Sequence, residues 1–94
     1  MEQAKIVASG LVQGVFYRAR AKEEALKRNL TGYAMNKPDG TVEALVQGKK
    51  EQILDFIDWC RRGSLSSKVE NVDVTWEDDK KGNQLQRFDS FTTS

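Results

Sequence analysis

The chain has 94 residues, of which 38% are hydrophobic and 31% charged, a composition typical of one small globular domain. Its formal net charge of +1 gives little attraction to nucleic acid or to an anionic membrane surface. The lack of histidine excludes histidine-based triads and histidine metal sites, and the single cysteine, Cys60, excludes an intrachain disulfide and a thiolate zinc cluster.

The first predicted element is a strand over residues 5–12, because Ile, Val and Leu are frequent in that stretch. A helix is predicted over residues 19–29, which consist largely of the good helix formers Ala, Lys, Glu, Leu and Arg. Its apolar stripe is thin and comprises Ala21, Ala25 and Leu26. The two alanines would let the helix lie close to a sheet.

The loop within residues 10–18 leads directly into that helix. A helix N-terminus has unpaired backbone amides and the positive end of the helix dipole, which together favour an anion. Arg18 would add a permanent charge whose planar fork matches the oxygens of a phosphate. The same spacing also fits an ordinary strand–turn–helix with a surface arginine, so the loop alone leaves both interpretations open.

A hairpin is predicted next, with strands over residues 31–36 and 41–47. The turn between them contains Pro38, which presets φ, and Gly40, which tolerates the geometry at the turn exit. In the second strand Val42, Ala44 and Val46 alternate with Glu43, Leu45 and Gln47.

A second helix is predicted over residues 50–62, because apolar residues recur on one of its faces. That face consists of Ile53, Phe56, Ile57 and Cys60. We therefore expect Cys60 to be a buried structural cysteine rather than a reactive thiol. The pattern assigns no role to Trp59.

Two further strands are predicted, over residues 69–77 and 87–91, with an exposed hairpin loop over residues 78–83 between them. Trp76 alternates with Val72 and Val74 on one side of the first of these strands. We therefore expect Trp76 to pack in the core.

The predicted order is β-α-β-β-α-β with a short last strand, which indicates a ferredoxin-like α+β sandwich. In that fold two helices cover one face of a mostly antiparallel sheet. A strand–helix–strand unit is normally a right-handed parallel crossover. The first two strands would then end at the same edge, so the loop within residues 10–18 would meet Asn36.

Asn36 is therefore a candidate for chemistry, since its amide can accept a hydrogen bond from water and donate one to an oxygen. The alternative is that it satisfies the neighbouring turn, as asparagines often do. Thr41 begins the partner strand, and its hydroxyl could support the site. Its alternative role is simple β-propensity.

Two segments resemble signatures of the acylphosphatase family. Residues 10–18, GLVQGVFYR, are similar to the glycine-x-valine-glutamine-glycine-valine motif that ends in arginine after two variable residues. Residues 32–43, GYAMNKPDGTVE, resemble the second signature, built around an asparagine and an aspartate–glycine turn. The spacing between the two also fits, and the resemblance covers essentially all of residues 1–94 as one domain.

The resemblance implies hydrolysis of carboxyl–phosphate bonds, as in acetyl or carbamoyl phosphate. It implies that Arg18 and backbone amides bind the phosphoryl group and that Asn36 positions the attacking water. By position, the phosphate-binding residues are Gln13, Gly14, Val15, Phe16, Tyr17 and Arg18. Because an acyl phosphate has a good leaving group, we expect no metal and no cofactor. We expect a cytoplasmic monomer that acts on a small molecule, without a nucleic acid or membrane partner.

Two places differ from common family members. Many members have Gly-Phe and others Phe-Phe where this chain has Phe16-Tyr17, so Tyr17 is a mild change, and some have threonine in place of Lys37. One alternative function is a non-catalytic ferredoxin-like module that binds RNA or a small anion, because fold alone does not decide function. Another is a relative of the acylphosphatase domain of hydrogenase-maturation carbamoyltransferases, although the length of 94 residues favours a stand-alone enzyme.

Overall fold

The computed structural model of the protein describes residues 2–77 and 86–94 and folds them into five strands and two helices. In chain order these are β1 Glu2–Leu11, α1 Tyr17–Lys27, β2 Thr31–Asn36, β3 Val42–Gly48, α2 Lys50–Arg62, β4 Lys68–Glu77 and β5 Phe91–Thr93. The predicted element order is confirmed, and β2 and α2 have the predicted bounds. The loop predicted over residues 78–83 lies outside the described residues.

The strands form one sheet in the order β4-β1-β3-β2-β5. Both β1 and β2 pair antiparallel with the central strand β3, so they run in the same direction and end at the same edge. The edge strand β4 is antiparallel to β1, and β5 is parallel to β2. The sheet is therefore mostly antiparallel, and the predicted ferredoxin-like fold is confirmed.

Both helices pack on one face of the sheet. Ala4, Ile6 and Ala8 of β1 face them and are fully buried. The predicted apolar face of α2 is buried as well, and it includes Cys60. Burial raises the pKa of the Cys60 thiol to about 12, so the residue is an uncharged core thiol near neutral pH.

Helix α1 begins at Tyr17, two residues before the predicted start, because Tyr17 belongs to the core. Its side chain is 2% exposed, its ring lies 5.2 Å from that of Trp59, and its hydroxyl donates to the backbone carbonyl of Cys60 at 2.8 Å. Tyr17, Ala21 and Ala25 form the buried stripe at four-residue intervals. Leu26 lies about 100° from Ala25 around the helix and is 50% exposed, so its assignment to the stripe was wrong.

The last strand was predicted too early, over residues 87–91. Phe91 is buried on the helix side and starts β5. Phe88 lies instead on the opposite face of the sheet, where its ring meets that of Tyr33 at 5.8 Å and its amide donates to Gln47 Oε1 at 3.1 Å. Residues 89 and 90 form a bend between the two phenylalanines, and the strand that pairs with β2 begins at Phe91.

Trp76 was wrongly assigned to the core, because it is 40% exposed near the end of the edge strand β4. Its ring lies 5.8 Å from Lys50 Nζ, a distance within the range of a cation–π contact. Within the described residues, neither helix has the length and apolarity needed to cross a membrane.

Candidate active site

A cavity of about 280 Å³ opens at the sheet edge where β1 and β2 end. It lies against the first turn of α1 and the loop that precedes it. The residues that line it are Val12, Gly14, Phe16, Tyr17, Arg18, Ala19 and Asn36. The strand order predicted that the loop within residues 10–18 would meet Asn36, and the structure brings both to this cavity.

The loop between β1 and α1 depends on glycine at two points. At Gly10 the pairing of β1 with β4 shifts register, and a Cβ there would lie 2.3 Å from the carbonyl oxygen of Lys68. Gly14 has φ of 74°, a left-handed conformation that costs glycine little. These glycines turn the chain out of the sheet and into the helix start.

The N-terminus of α1 supplies the donors of the cavity. Arg20 N donates to the carbonyl of Phe16 at 3.0 Å and makes the first bond of the helix. The amides of Tyr17, Arg18 and Ala19 have no acceptor among residues 2–77 and 86–94. Phe16 at the N-cap makes no side-chain cap bond, and the first turn contains no acidic residue. This helix end is therefore open to an anion.

Arg18 places a guanidinium at the same cavity. Its Nη1 donates to the backbone carbonyl of Ser94, which follows β5. Ser94 is held beside β2 by its own amide, which donates to the carbonyl of Ala34 at 3.1 Å. This contact between Arg18 and the segment after β5 orients the side chain, and no sequence motif pointed to Ser94.

Asn36 is the last residue of β2 and lines the cavity together with the first turn of α1. Since side chains alternate along a strand, it shares the helix-facing side with the buried Ala34. Within the part of the chain that the structure describes, its side-chain amide makes no hydrogen bond. Its donor and acceptor groups are thus available to a ligand or to water.

Gln13 does not line the cavity but braces it. Its Nε2 donates to the backbone carbonyls of Lys37 at 2.7 Å and Thr41 at 2.9 Å, which joins the loop to the β2–β3 turn next to Asn36. The Thr41 hydroxyl donates to Asp39 Oδ1 at 2.6 Å and lowers the pKa of that exposed carboxyl. The hydroxyl of Thr41 therefore contacts the turn. The backbone carbonyl of Thr41 is the group that contacts the loop, through Gln13.

The side chains of two other predicted loop residues, Val15 and Tyr17, point away from the cavity. Val15 packs partly buried against the core, and its carbonyl accepts from the Ser64 hydroxyl at 3.1 Å. Tyr17 points its hydroxyl into the core, so its difference from phenylalanine does not face the cavity. Sequence reasoning missed Ser64, which carries no local signal, and Ala19, which lies one residue beyond the signature that ends at Arg18.

Lys37 also faces away, since its Nζ lies 3.4 Å from Glu43 Oε1 on the sheet face opposite the helices. Burial would raise the pKa of Glu43, but the hydrogen bond from Tyr33 and the charge of Lys37 outweigh it and lower the pKa. Lys37 therefore stabilises a largely buried carboxylate.

The electrostatics of the cavity favour a small anion. Its lining includes Arg18 and a helix N-terminus but no carboxylate among the described residues. Within residues 2–77 and 86–94, no three acidic or cysteine side chains form a cluster suited to a metal ion. A planar guanidinium beside several free amides matches the oxygens of a phosphoryl group.

Comparisons of sequence and structure with known proteins all point to the same family. A family model described as acylphosphatase matches residues 4–91. A relative named acylphosphatase from Pelotomaculum thermopropionicum is 40% identical over 76 residues, covering 81% of this chain and 83% of its own. The crystal structure of acylphosphatase from Bacillus subtilis superposes with a TM-score of 0.91 at 34% identity, covering 100% of this chain and 99% of that one. An acylphosphatase structure from Coxiella burnetii gives a TM-score of 0.87 at 26% identity, with coverages of 99% and 93%.

Proposed function

Because this chain belongs to the acylphosphatase family, we propose that its cavity binds the phosphoryl group of an acyl phosphate and that Asn36 orients the attacking water. As an acylphosphatase, the protein hydrolyses the carboxyl–phosphate bond and releases a carboxylate and inorganic phosphate. The observation that carries the proposal is the convergence of unpaired helix amides, Arg18 and Asn36 on one cavity that has no carboxylate in its described lining. Family membership favours this enzyme over a non-catalytic RNA- or anion-binding module.

Phosphate binding rests on fixed positive potential. The amides of Tyr17, Arg18 and Ala19 point their dipoles along the axis of α1, and the Arg18 fork provides further charged donors. Negative charge spreads over the equatorial oxygens of the phosphoryl group in the transition state. Donors that are already oriented stabilise this charge without rearranging, which lowers the barrier.

Asn36 acts on the water rather than on the leaving group. Its amide oxygen accepts a hydrogen bond from the water, and its amide NH2 donates to a phosphoryl oxygen, so the water faces phosphorus. The water oxygen bonds to phosphorus while the bond from phosphorus to the bridging oxygen breaks. The products are the carboxylate and dihydrogen phosphate, which retains both protons of the water. Positioning of this kind contributes most when the leaving group is already good.

A metal is not required in this mechanism, because Arg18 and the helix amides provide the charge stabilisation. We expect release of phosphate from benzoyl phosphate to proceed at the same rate before and after dialysis against EDTA. A rate that fell more than about tenfold with chelator and returned with Mg²⁺ would assign the charge stabilisation to a metal instead. The control is spontaneous hydrolysis of benzoyl phosphate in the same buffers.

We further propose that the protein acts as a cytoplasmic monomer, with residues 1–94 forming one domain and without nucleic acid, membrane or cofactor. The described residues that line the cavity all belong to one chain, so no second subunit is needed to build the site. The formal net charge of +1 supports a small substrate rather than a polyanion.

Gln13 is the positioning residue of the site, because its amide joins the phosphate loop to the turn beside Asn36. We expect Gln13→Leu to lower kcat by about tenfold or more, since an ångström of misplacement costs reactions of this kind about a hundredfold. The loss of two hydrogen bonds should lower the free energy of unfolding by about 1–2 kcal/mol. The measurements are steady-state kinetics well below the melting temperature and urea unfolding.

The matched control for Gln13 is Gln52→Leu, which changes a half-buried glutamine of α2 outside the cavity. It should leave kcat within about twofold of the unaltered protein. If Gln13→Leu lowered stability but kept its full kcat, the residue would be structural and would not position the site.

A further inference from the structure

Phe16 stands out among the residues that line the cavity. Its side chain is 78% exposed, whereas the neighbouring Val12 and Tyr17 are buried, with only 1% and 2% of their surface exposed. It precedes the helix turn that holds Arg18, so its ring lies at the mouth of the cavity rather than in its interior. An exposed aromatic ring at this place buries little apolar surface and contributes little to folding.

The backbone at Phe16 is also unfavourable for this residue. Its φ of 61° and ψ of 13° lie in the left-handed helical region, which aromatic side chains rarely adopt. It occupies the N-cap of α1 without a side-chain cap bond, which leaves the amides of the first turn to the anion. Asparagine adopts the left-handed conformation more readily than an aromatic residue, so a phenylalanine here sacrifices local stability. A strained residue at a ligand cavity points to a role in binding.

The chemistry of the substrate indicates what this ring contacts. In the proposed function, on which this inference rests, the phosphoryl group occupies the polar interior formed by Arg18 and the helix amides. The acyl group must then extend outward through the mouth, past Phe16. An aromatic ring stacks on other rings and packs against large apolar groups, but it gains little from a single methyl or amino group.

We propose that Phe16 selects the acyl group of the substrate and favours aryl and other large apolar acyl phosphates over acetyl and carbamoyl phosphate. The ring acts on the part of the substrate that does not react. Its contribution therefore appears as a difference between substrates in kcat/KM. Stacking of two rings in a partly exposed position corresponds to about a 5- to 10-fold preference.

The test compares kcat/KM for benzoyl phosphate and acetyl phosphate in the unaltered protein, Phe16→Ala, Phe16→Asn and Phe16→Tyr. The ratio of the two values should fall about 5- to 10-fold in Phe16→Ala and Phe16→Asn and should be retained in Phe16→Tyr. Asparagine tolerates the left-handed conformation of residue 16, so Phe16→Asn keeps the comparison valid if the alanine variant folds poorly. The matched control is Leu54→Ala, an exposed leucine of α2 that does not line the cavity and should leave the ratio unchanged.

The outcomes separate this inference from the proposed function. If Phe16→Ala and Phe16→Asn kept the kcat/KM ratio of the unaltered protein within about twofold, Phe16 would not select the acyl group. The proposed function of the enzyme would still stand. If Phe16→Tyr lost the preference as strongly as Phe16→Ala, ring stacking would be the wrong explanation. If the unaltered protein released phosphate from neither substrate, the proposed function itself would fail.

Discussion

Replacing Arg18 with alanine is expected to lower kcat/KM for benzoyl phosphate by about a thousandfold or more, which corresponds to about 4 kcal/mol of transition-state stabilisation. The guanidinium is the charged side chain of the described cavity lining, and its fork can bind two phosphoryl oxygens at once. Its removal leaves only the partial charges of the helix amides. Inhibition by inorganic phosphate, the reaction product, should weaken at least tenfold in the same variant.

The fold should survive this change. Truncation of Arg18 removes its hydrogen bond to the Ser94 carbonyl at the protein surface, worth about 1 kcal/mol. The matched control is Arg20→Ala on the same helix, whose exposed guanidinium pairs with Glu23 at 3.1 Å. Such surface pairs contribute little, so this variant should keep full activity. An Arg18→Ala protein with activity within tenfold of the unaltered enzyme would contradict the assignment.

Replacing Asn36 with alanine is expected to lower kcat by about a hundredfold to a thousandfold. Inhibition by phosphate should change less than about threefold, because in the proposed mechanism the amide positions water and the phosphoryl group keeps its other donors. This separation distinguishes Asn36 from Arg18, whose removal should weaken both binding and turnover. The measurement is steady-state kinetics with benzoyl phosphate in the presence of increasing inorganic phosphate.

Asn36→Asp is a second informative variant, because it keeps the shape of the side chain but adds a negative charge beside the anion. It should lower kcat and also weaken inhibition by phosphate at neutral pH. Asn71→Ala serves as the control, since that asparagine is exposed on β4 and lies outside the cavity lining. If Asn36→Ala kept a third or more of the original kcat, the water would be oriented by another group.

Local patterns predicted the elements where one strong periodicity governs a segment. Helix α2 has the predicted bounds because its apolar face repeats over three turns and Gly63 follows its last residue. Helix α1 was placed two residues late because it begins after Phe16 in a left-handed conformation. The usual start signals are polar cap residues, so an aromatic N-cap is not recognised from sequence.

The contacts that complete the site depend on longer distances along the chain. Gln13 reaches a carbonyl 24 residues away, Val15 accepts from a residue 49 away, and Arg18 donates to one 76 away. Motif and spacing identified Gln13, Arg18 and Asn36 as residues of interest. They did not indicate that the Gln13 side chain turns away from the cavity or that the segment after β5 reaches Arg18.

The sequence by itself determined the order of the strands and helices and, through the parallel crossover from β1 to β2, that the loop after β1 meets Asn36 at one sheet edge. These features follow from local propensities and from the usual direction of a strand–helix–strand connection. Only the tertiary structure decided which side chains face the cavity, why Phe16 stays exposed while Tyr17 is buried, and how Ser94 comes to contact Arg18. Side-chain direction depends on the packing of helices, sheet and last strand together, and no local pattern contains that information.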